Sequence, residues 1–283
     1  MTASTASATT PPFGYFGSKV KLASRMVDLF PEHRGYVEPY AGSLSVLLAK
    51  RPSVMEVVND LDGDLMTFWR VLRDRPAELA RVCSLTPHSR AEYDASWPLT
   101  EDLDDLERAR RVWVKLSQGR SGSLRSTGWR YHENPNGRAS SMPRTVHGYV
   151  RRMLDVAERI REVTLECLPA LEVITRYQRD PDTLLYVDPP YLFDTRSRTG
   201  IYRHEMGDEE SHRTLAAALA GSKATVVLSG YAHPLYDEEL YAGWHRTTMR
   251  AGTGQNAHAG WQERTEVLWS NRPLGDARLF EAT

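Results

Sequence analysis

The chain has 283 residues, 41% hydrophobic and 26% charged, which is ordinary for a globular protein with a sizeable core. Its formal net charge of −1 excludes a uniformly basic nucleic-acid binder, so any such contact must rest on a local patch. No apolar run reaches membrane-spanning length, residues 1–10 do not resemble a secretory signal, and Cys83 and Cys167 form no metal-type pair. The expected setting is therefore a reducing cytoplasm, with no metal site.

Residues 1–10 are rich in Ser, Thr and Ala and read as a disordered tail. From Pro11 to Lys21, Gly14 and Gly17 flank two aromatics and Lys19 follows. A helix with Leu22, Met26, Leu29 and Phe30 on one side then runs to Pro31. The Gly-Ser-Lys turn either receives an anion through free backbone N–H groups or simply leads the chain into that helix. Tyr36-Val37 begins a strand, Pro39 to Ser43 turns, and Leu44 to Lys50 begins a helix. Gly42 would let a ligand approach the backbone closely. The spacing is not Gly-x-Gly-x-x-Gly, which argues against a nicotinamide-cofactor enzyme. Ser53 to Asp60 is the next strand. Its terminal Asp60 stands either where a ribose hydroxyl pair is gripped or as an ordinary acid before the following helix. That helix, Leu61 to Arg73, has Leu65, Phe68, Trp69 and Leu72 on its apolar side, and Asp62 and Asp64 are solvated acids at its start.

From Asp74 to Leu168 the patterns are mostly helical, including Arg108 to Leu116 and His147 to Arg161. Between these two lies a polar stretch, Ser117 to Arg144, with five arginines (Arg120, Arg125, Arg130, Arg138 and Arg144), one Glu and no Asp. Arginine suits phosphates and guanine edges, so this is the candidate nucleic-acid patch; an exposed loop that is basic by accident is the alternative. A short strand at Val163 to Cys167 and a helix to Ile174 follow.

Thr183 to Val187 is a buried strand that ends in Asp188-Pro189-Pro190-Tyr191. The prolines cannot continue a ladder, and an acid at the carboxyl end of a buried strand sits where open α/β sheets place their ligands. The stiff turn would fix the Asp188 carboxylate, the Pro189 carbonyl and the Tyr191 ring together. Two acceptors beside an aromatic face suit a flat base bearing an exocyclic NH₂. An ordinary Asx-type turn fits the same tetrapeptide. Phe193 to Gly207, with Arg196, Arg198 and Arg203, is polar and irregular and reads as a mobile lid. Asp208 to Ala220 is a helix, Ala224 to Ser229 a buried strand and Leu235 to Ala242 a short helix. Trp244 to Met249 and Thr265 to Trp269 are two closing strands.

Six pieces, in this order, resemble the Dam-like adenine-specific DNA methyltransferases, phage-type members included. They are Tyr15-Phe16-Gly17-Ser18-Lys19, Glu38-Pro39-Tyr40-Ala41-Gly42-Ser43, Asp60, Asp188-Pro189-Pro190-Tyr191, Leu228-Ser229-Gly230-Tyr231 and Arg264 to Trp269. Two positions depart from the family pattern: Ser18 and Leu44 stand where glycines are usual. The resemblance implies an α/β fold, a Rossmann-like S-adenosylmethionine-dependent sheet formed by residues 11–73 and 163–283. A mostly helical target-recognition insertion would occupy 74–162. It implies S-adenosylmethionine as cofactor, contacted by Tyr15, Lys19, Glu38, Pro39, Gly42, Asp60 and Asp188, and a flipped adenine held by Asp188, Pro189, Pro190 and Tyr191. Double-stranded DNA is the implied partner, with a cognate restriction nuclease as a possible companion and a monomer as the expected state. The rival readings are an amino-methyltransferase acting on cytosine N4 or RNA, and a catalytically silent DNA-binding relative.

Overall fold

The structure, a computed structural model, describes residues 8–132, 141–195, 200–251 and 264–275. Its seven strands are β1 (Gly35–Glu38), β2 (Met55–Asn59), β3 (Thr164–Glu166), β4 (Thr183–Val187), β5 (Thr225–Tyr231), β6 (His245–Ala251) and β7 (Arg264–Ser270). They form one sheet in the order β3-β2-β1-β4-β5-β7-β6. The first five are parallel, and β7 lies antiparallel between β5 and β6. Each falls on a stretch expected to be a strand. The sheet is a Rossmann-like α/β arrangement.

Side-chain alternation along the strands divides the interior in two. Tyr36, Val58, Leu184, Tyr186, Val227 and Leu268 face one core; Val37, Val57, Leu185, Val187, Val226, Leu228 and Val267 face the other. The second core is closed by α8 (Ala170–Tyr177) and α9 (Glu209–Leu219), through Val173, Ile174, Leu215 and Leu219. The first is closed by α1 (Ala23–Val27), α2 (Ser45–Ala49) and α3 (Gly63–Asp74). It then continues without a break into α4 (Pro76–Leu85), α5 (Arg90–Ala95), α6 (Asp105–Gln118) and α7 (Met142–Ile160), through Leu79, Tyr93, Val112, Trp113, Met153 and Val156. The stretch 74–162 is thus helical, but among the described residues it shares its core with the sheet instead of having its own.

A buried charge cluster locks α7 to the sheet. Glu56 of β2 receives Lys50 Nζ at 2.7 Å and the Arg159 guanidinium at 2.5 and 2.9 Å. Arg159 also donates to the Leu47 carbonyl at 3.0 Å, and Lys50 sits 4.4 Å over the Tyr36 ring.

Three expectations change in detail. The expected tail is anchored where it is described: Thr9 N–H donates to the Leu48 carbonyl at 3.1 Å and Arg152 donates to the Thr10 hydroxyl. Residues 1–7 lie outside the described ones. The first helix is only Ala23–Val27, and single turns carry the chain on to Phe30. Leu235–Leu240 is one π-type helical stretch.

Candidate active site

The sheet changes direction between β1 and β4. Chain order runs outward from β1 through β2 to β3 on one side and from β4 through β5 on the other. Ligands of open α/β sheets bind at the carboxyl ends of such neighbours. Here those ends carry Glu38 on β1 and Asp188 just past β4, with Val37 opposite Leu185 in register. A cavity of about 1410 Å³ opens there. It is lined by Tyr15, Lys19, Glu38, Pro39, Gly42 and Asp60 at one part and by Asp188, Pro190, Tyr191, Tyr231 and Glu266 at another. The two groups of residues singled out in the sequence therefore share one space. Pro189 is buried and is not among the residues that line it.

The glycine turn is shaped from several sides. Gly42 has φ +47, and a Cβ there would fall 2.9 Å from the Tyr15 ring. Its N–H donates to Asp60 Oδ2 at 3.0 Å, while Asp62 N–H donates to Asp60 Oδ1 at 2.9 Å. Asp60 thus staples the end of β2 to the turn while its carboxyl borders the cavity. Burial pushes that carboxyl up to about 6, against the pull of those two N–H donors. Asn59, fully buried, completes the clamp by donating to the Pro39 and Leu168 carbonyls at 2.9 and 3.0 Å and accepting from Leu168 N–H at 2.8 Å.

Both departures from the family glycines have a physical account. Leu44 keeps left-handed backbone, φ 56 and ψ 25, at the start of α2, and its side chain is 0% exposed. Left-handed backbone costs a non-glycine residue about 1–2 kcal/mol. Full burial of a leucine contributes ~1.5–3 kcal/mol in return. Ser18 joins a triangle of hydroxyls, 2.6 Å from Ser45 Oγ and 2.9 Å from Ser43 Oγ, with Ser43 and Ser45 2.7 Å apart. The triangle ties the N-terminal strap to the glycine turn.

Lys19 does not point toward Gly42. Its Nζ lies 3.0 and 2.9 Å from the two Asp188 oxygens, 3.1 Å from the Gly17 carbonyl, 3.7 Å from Glu266 and 4.9 Å over the Tyr191 ring. The two carboxylates hold the ammonium firmly protonated in spite of its burial. Burial raises the Asp188 carboxyl, and Lys19 opposes that rise. Tyr191 packs edge-on to Tyr231, with centroids 4.8 Å apart and planes at 75°. Its hydroxyl reaches Asp188 Oδ1 at 3.0 Å and contacts Glu266 Oε1. Ser229 Oγ donates to the same Glu266 oxygen at 2.7 Å.

Glu38 is fully enclosed, accepting from the Tyr36 hydroxyl at 2.6 Å. Burial pushes its carboxyl up to about 7, with the Tyr36 hydroxyl and the Leu47 N–H opposing and Asp188 adding to the rise. An unfolded glutamate ionises near ~4.3. Between those values the folded chain keeps a proton that the unfolded chain has released, so this group lowers stability progressively as pH rises through the interval. Glu38→Gln should raise the unfolding free energy at about pH 8 by ~3 kcal/mol, a gain that shrinks toward zero near pH 4.5. Denaturant melts at the two pH values test this; an equal gain at both would contradict it.

The arginine patch is only partly a free surface. Arg120 and Arg125 are exposed; Arg120 donates to the Trp129 carbonyl at 3.2 Å and Arg125 to the Tyr202 carbonyl at 2.9 Å. Arg130 is half-buried with its Nε 3.1 Å from Met142 Sδ, Arg144 is exposed on α7, and Arg138 lies outside the described residues. Beside them His88, Trp129 and Tyr131 form a stack, with centroids 4.6 and 5.6 Å apart. Arg90 lies 4.9 Å over Trp129 and Arg120 lies 5.6 Å over Tyr131. The stretch expected as a lid is clasped where it is described. Ser123 donates to Ile201 O at 2.5 Å, and Arg203 pairs with Asp62 at 3.3 Å and Asp64 at 2.6 Å. Arg196 and Arg198 lie outside the described residues.

A family model described as D12 class N6 adenine-specific DNA methyltransferase matches residues 15–248, most of the chain. The chain belongs to that family. This D12-class methyltransferase is also 25% identical over 273 residues to the Type II methyltransferase M1.LlaDCHI of Lactococcus lactis subsp. cremoris. The match covers 90% of this chain and 93% of that relative. It is thus an adenine-specific DNA methyltransferase with DNA as its substrate. Among its described residues no helix is long and apolar enough to cross a membrane.

Sequence reasoning left several residues around the methyltransferase cavity unassigned. Glu266 and Ser229 were placed in strands but given no role. A glutamate in a strand, directly before the apolar run Val267-Leu268-Trp269, was the available signal, because a buried charge needs partners. Asn59 and Tyr202 carried no such mark.

Proposed function

We propose that this chain methylates the exocyclic N6 of an adenine flipped out of double-stranded DNA, at a specific sequence, with S-adenosylmethionine as donor. The observation that carries the reading is the single cavity joining the Gly42 turn and Asp60 to the Asp188 corner.

The residues present fit that cofactor. Gly42 and Tyr15 both line the cavity, and the absence of a Cβ at Gly42 lets the Tyr15 ring lie against the turn. Asp60 offers a carboxyl to a ribose hydroxyl pair, and Glu38 and Pro39 border the same space. When bound, S-adenosylmethionine supplies a methyl group on a positively charged sulfur. Asp188 and the Pro189 carbonyl would accept the two amino hydrogens of adenine, drawing the nitrogen lone pair out of ring conjugation. Tyr191 and Pro190 would border the base. Most of the acceleration would come from this positioning and from fixed dipoles. Lys19 and the Tyr191 hydroxyl already occupy part of the accepting capacity of Asp188, so the amino group would share that carboxylate with them.

The helical stretch 74–162 would read the target. Arg120, Arg125, Arg130, Arg138 and Arg144 would meet phosphates or base edges. The Type II name of the relative supports a place in restriction-modification. A cognate nuclease, a monomeric state and a cytoplasmic setting complete the proposal. Host DNA recovered after expression, sequenced for modified bases and digested to nucleosides, should contain N6-methyladenine at one sequence motif. Only N4-methylcytosine, or no modified base, would overturn the reading.

A further inference from the structure

Tyr191 presents one hydroxyl proton to two carboxyl groups. Its oxygen is 3.0 Å from Asp188 Oδ1 and in contact with Glu266 Oε1. A phenol has a single proton to donate, so it can serve only one of them at a time. The other contact is a hydrogen bond only when that carboxyl carries a proton. The three oxygens therefore form a chain with two settings. In one, Tyr191 donates to Glu266 and can accept from a protonated Asp188. In the other, a protonated Glu266 donates to Tyr191, which donates to Asp188.

We propose that Glu266 is the terminal acceptor of the proton released at Asp188, taking it up through the Tyr191 hydroxyl. The inference rests on the functional reading above. Once the adenine nitrogen carries the methyl group, one N–H bond breaks, its electron pair stays on nitrogen and the proton bonds to Asp188 Oδ1. Asp188 passes that proton to the Tyr191 oxygen as the phenolic proton moves to Glu266 Oε1. Asp188 ends ionised, Tyr191 ends neutral and Glu266 ends protonated. Asp188 is thereby restored, and Glu266 must lose its proton to solvent before the relay can run again.

The surroundings support this direction. Ser229 Oγ donates to the same Glu266 oxygen at 2.7 Å, stabilising the ionised form before the transfer. Lys19 stands 2.9 Å from Asp188 but 3.7 Å from Glu266, so its charge favours a carboxylate at Asp188 over one at Glu266. That bias carries the proton away from the reacting centre. Tyr186, below the corner, also feels both acids. The charged and titratable groups facing Glu266 are thus Lys19 from the strap, Asp188 and Tyr191 from the β4 corner, and Tyr186 from β4. Glu266 acts through Tyr191 and is a positioning and proton-accepting residue without contact to the base.

The test uses the full chain, tritiated S-adenosylmethionine and DNA from a host without adenine methylation, in multiple turnovers across a pH series. Glu266→Gln keeps the shape but cannot take up a proton. It should slow steady-state turnover about 10²-fold near neutral pH and abolish the acid-side fall of the wild-type rate. Cofactor binding measured by calorimetry should be unchanged, and Glu266→Asp should restore part of the rate and the acid-side fall. An unaltered rate and profile in Glu266→Gln would overturn the relay, and so would an equal loss at every pH.

A second readout needs neither turnover nor a stable Glu266 variant. In the free protein with carbon-13-labelled glutamate carboxyls, Tyr191→Phe should displace the carboxyl resonance of Glu266. No displacement would also overturn the relay. A wild-type chain that transfers no methyl group to DNA would remove the functional reading itself. The carboxyl resonance would still report whether Tyr191 and Glu266 share a proton.

Discussion

Asp188→Ala is expected to lower methyl transfer to DNA by about 10³-fold or more while leaving the sheet intact. The side chain stands past the end of β4, so its removal disturbs no ladder hydrogen bond. The deletion has two consequences. The adenine amino group loses one of its two acceptors, and the nitrogen lone pair is no longer aimed. Lys19, buried and held between two acids, loses its nearer carboxylate and turns toward Glu266, now 3.7 Å away. A buried ammonium that shifts toward Glu266 also pulls on the hydroxyl of Tyr191, so the whole corner loosens. Asp188→Asn separates these effects. Its amide oxygen still accepts one hydrogen, but its NH₂ faces both Lys19 and the incoming amine, so activity should fall nearly as far. Tritium incorporation into DNA, with circular dichroism to check the fold, measures both variants. Asp188→Ala with more than a tenth of wild-type activity would remove the corner from the chemistry.

The largest expected stability change lies elsewhere. Glu56→Ala should destabilise the protein by ~3–5 kcal/mol, because Lys50 and Arg159 are left buried without their shared carboxylate. The three side chains are almost wholly enclosed and bridge α2, β2 and α7. Replacing all three by apolar residues of similar volume should cost far less, since no charge is then stranded. Urea unfolding of the single and triple variants makes the comparison. A single variant within ~1 kcal/mol of wild type would show that water reaches the cluster and screens it.

The sheet was legible because its strands are short apolar runs cut off by Gly, Pro and Asp. Each end signal coincides with a place where the backbone must leave the ladder, as at Pro39 and Pro189. The acids Asp60 and Asp188 were legible for the same reason: a charged residue at the tip of a buried strand has few structural excuses. Pairings across the sheet carry no local mark. The contact of Glu266 on β7 with Tyr191 after β4 is set by β5 and β7 lying side by side, which no single stretch encodes. Lys19 was read as a cofactor contact from its neighbours in sequence. Its reach to Asp188 carried no local mark, because it depends on residues 15–19 folding back over the corner, held by Ser18, Ser43 and Ser45. The helical stretch looked separate because its composition changes at Asp74. The continuity of its interior with the sheet depends on which faces of α3, α6 and α7 meet, and that is a tertiary choice.

Leu44 couples the interior to the ligand face in a way a flexible residue would not. Its side chain is a peg seated among apolar neighbours, and its backbone bends into the turn beside Gly42. Loosening that socket by heat or by a cavity would release the bend and spoil the cradle together. Conversely, occupancy of the cradle by its ligand would keep the peg seated. Thermal tolerance and substrate grip in this protein are therefore linked through a single leucine.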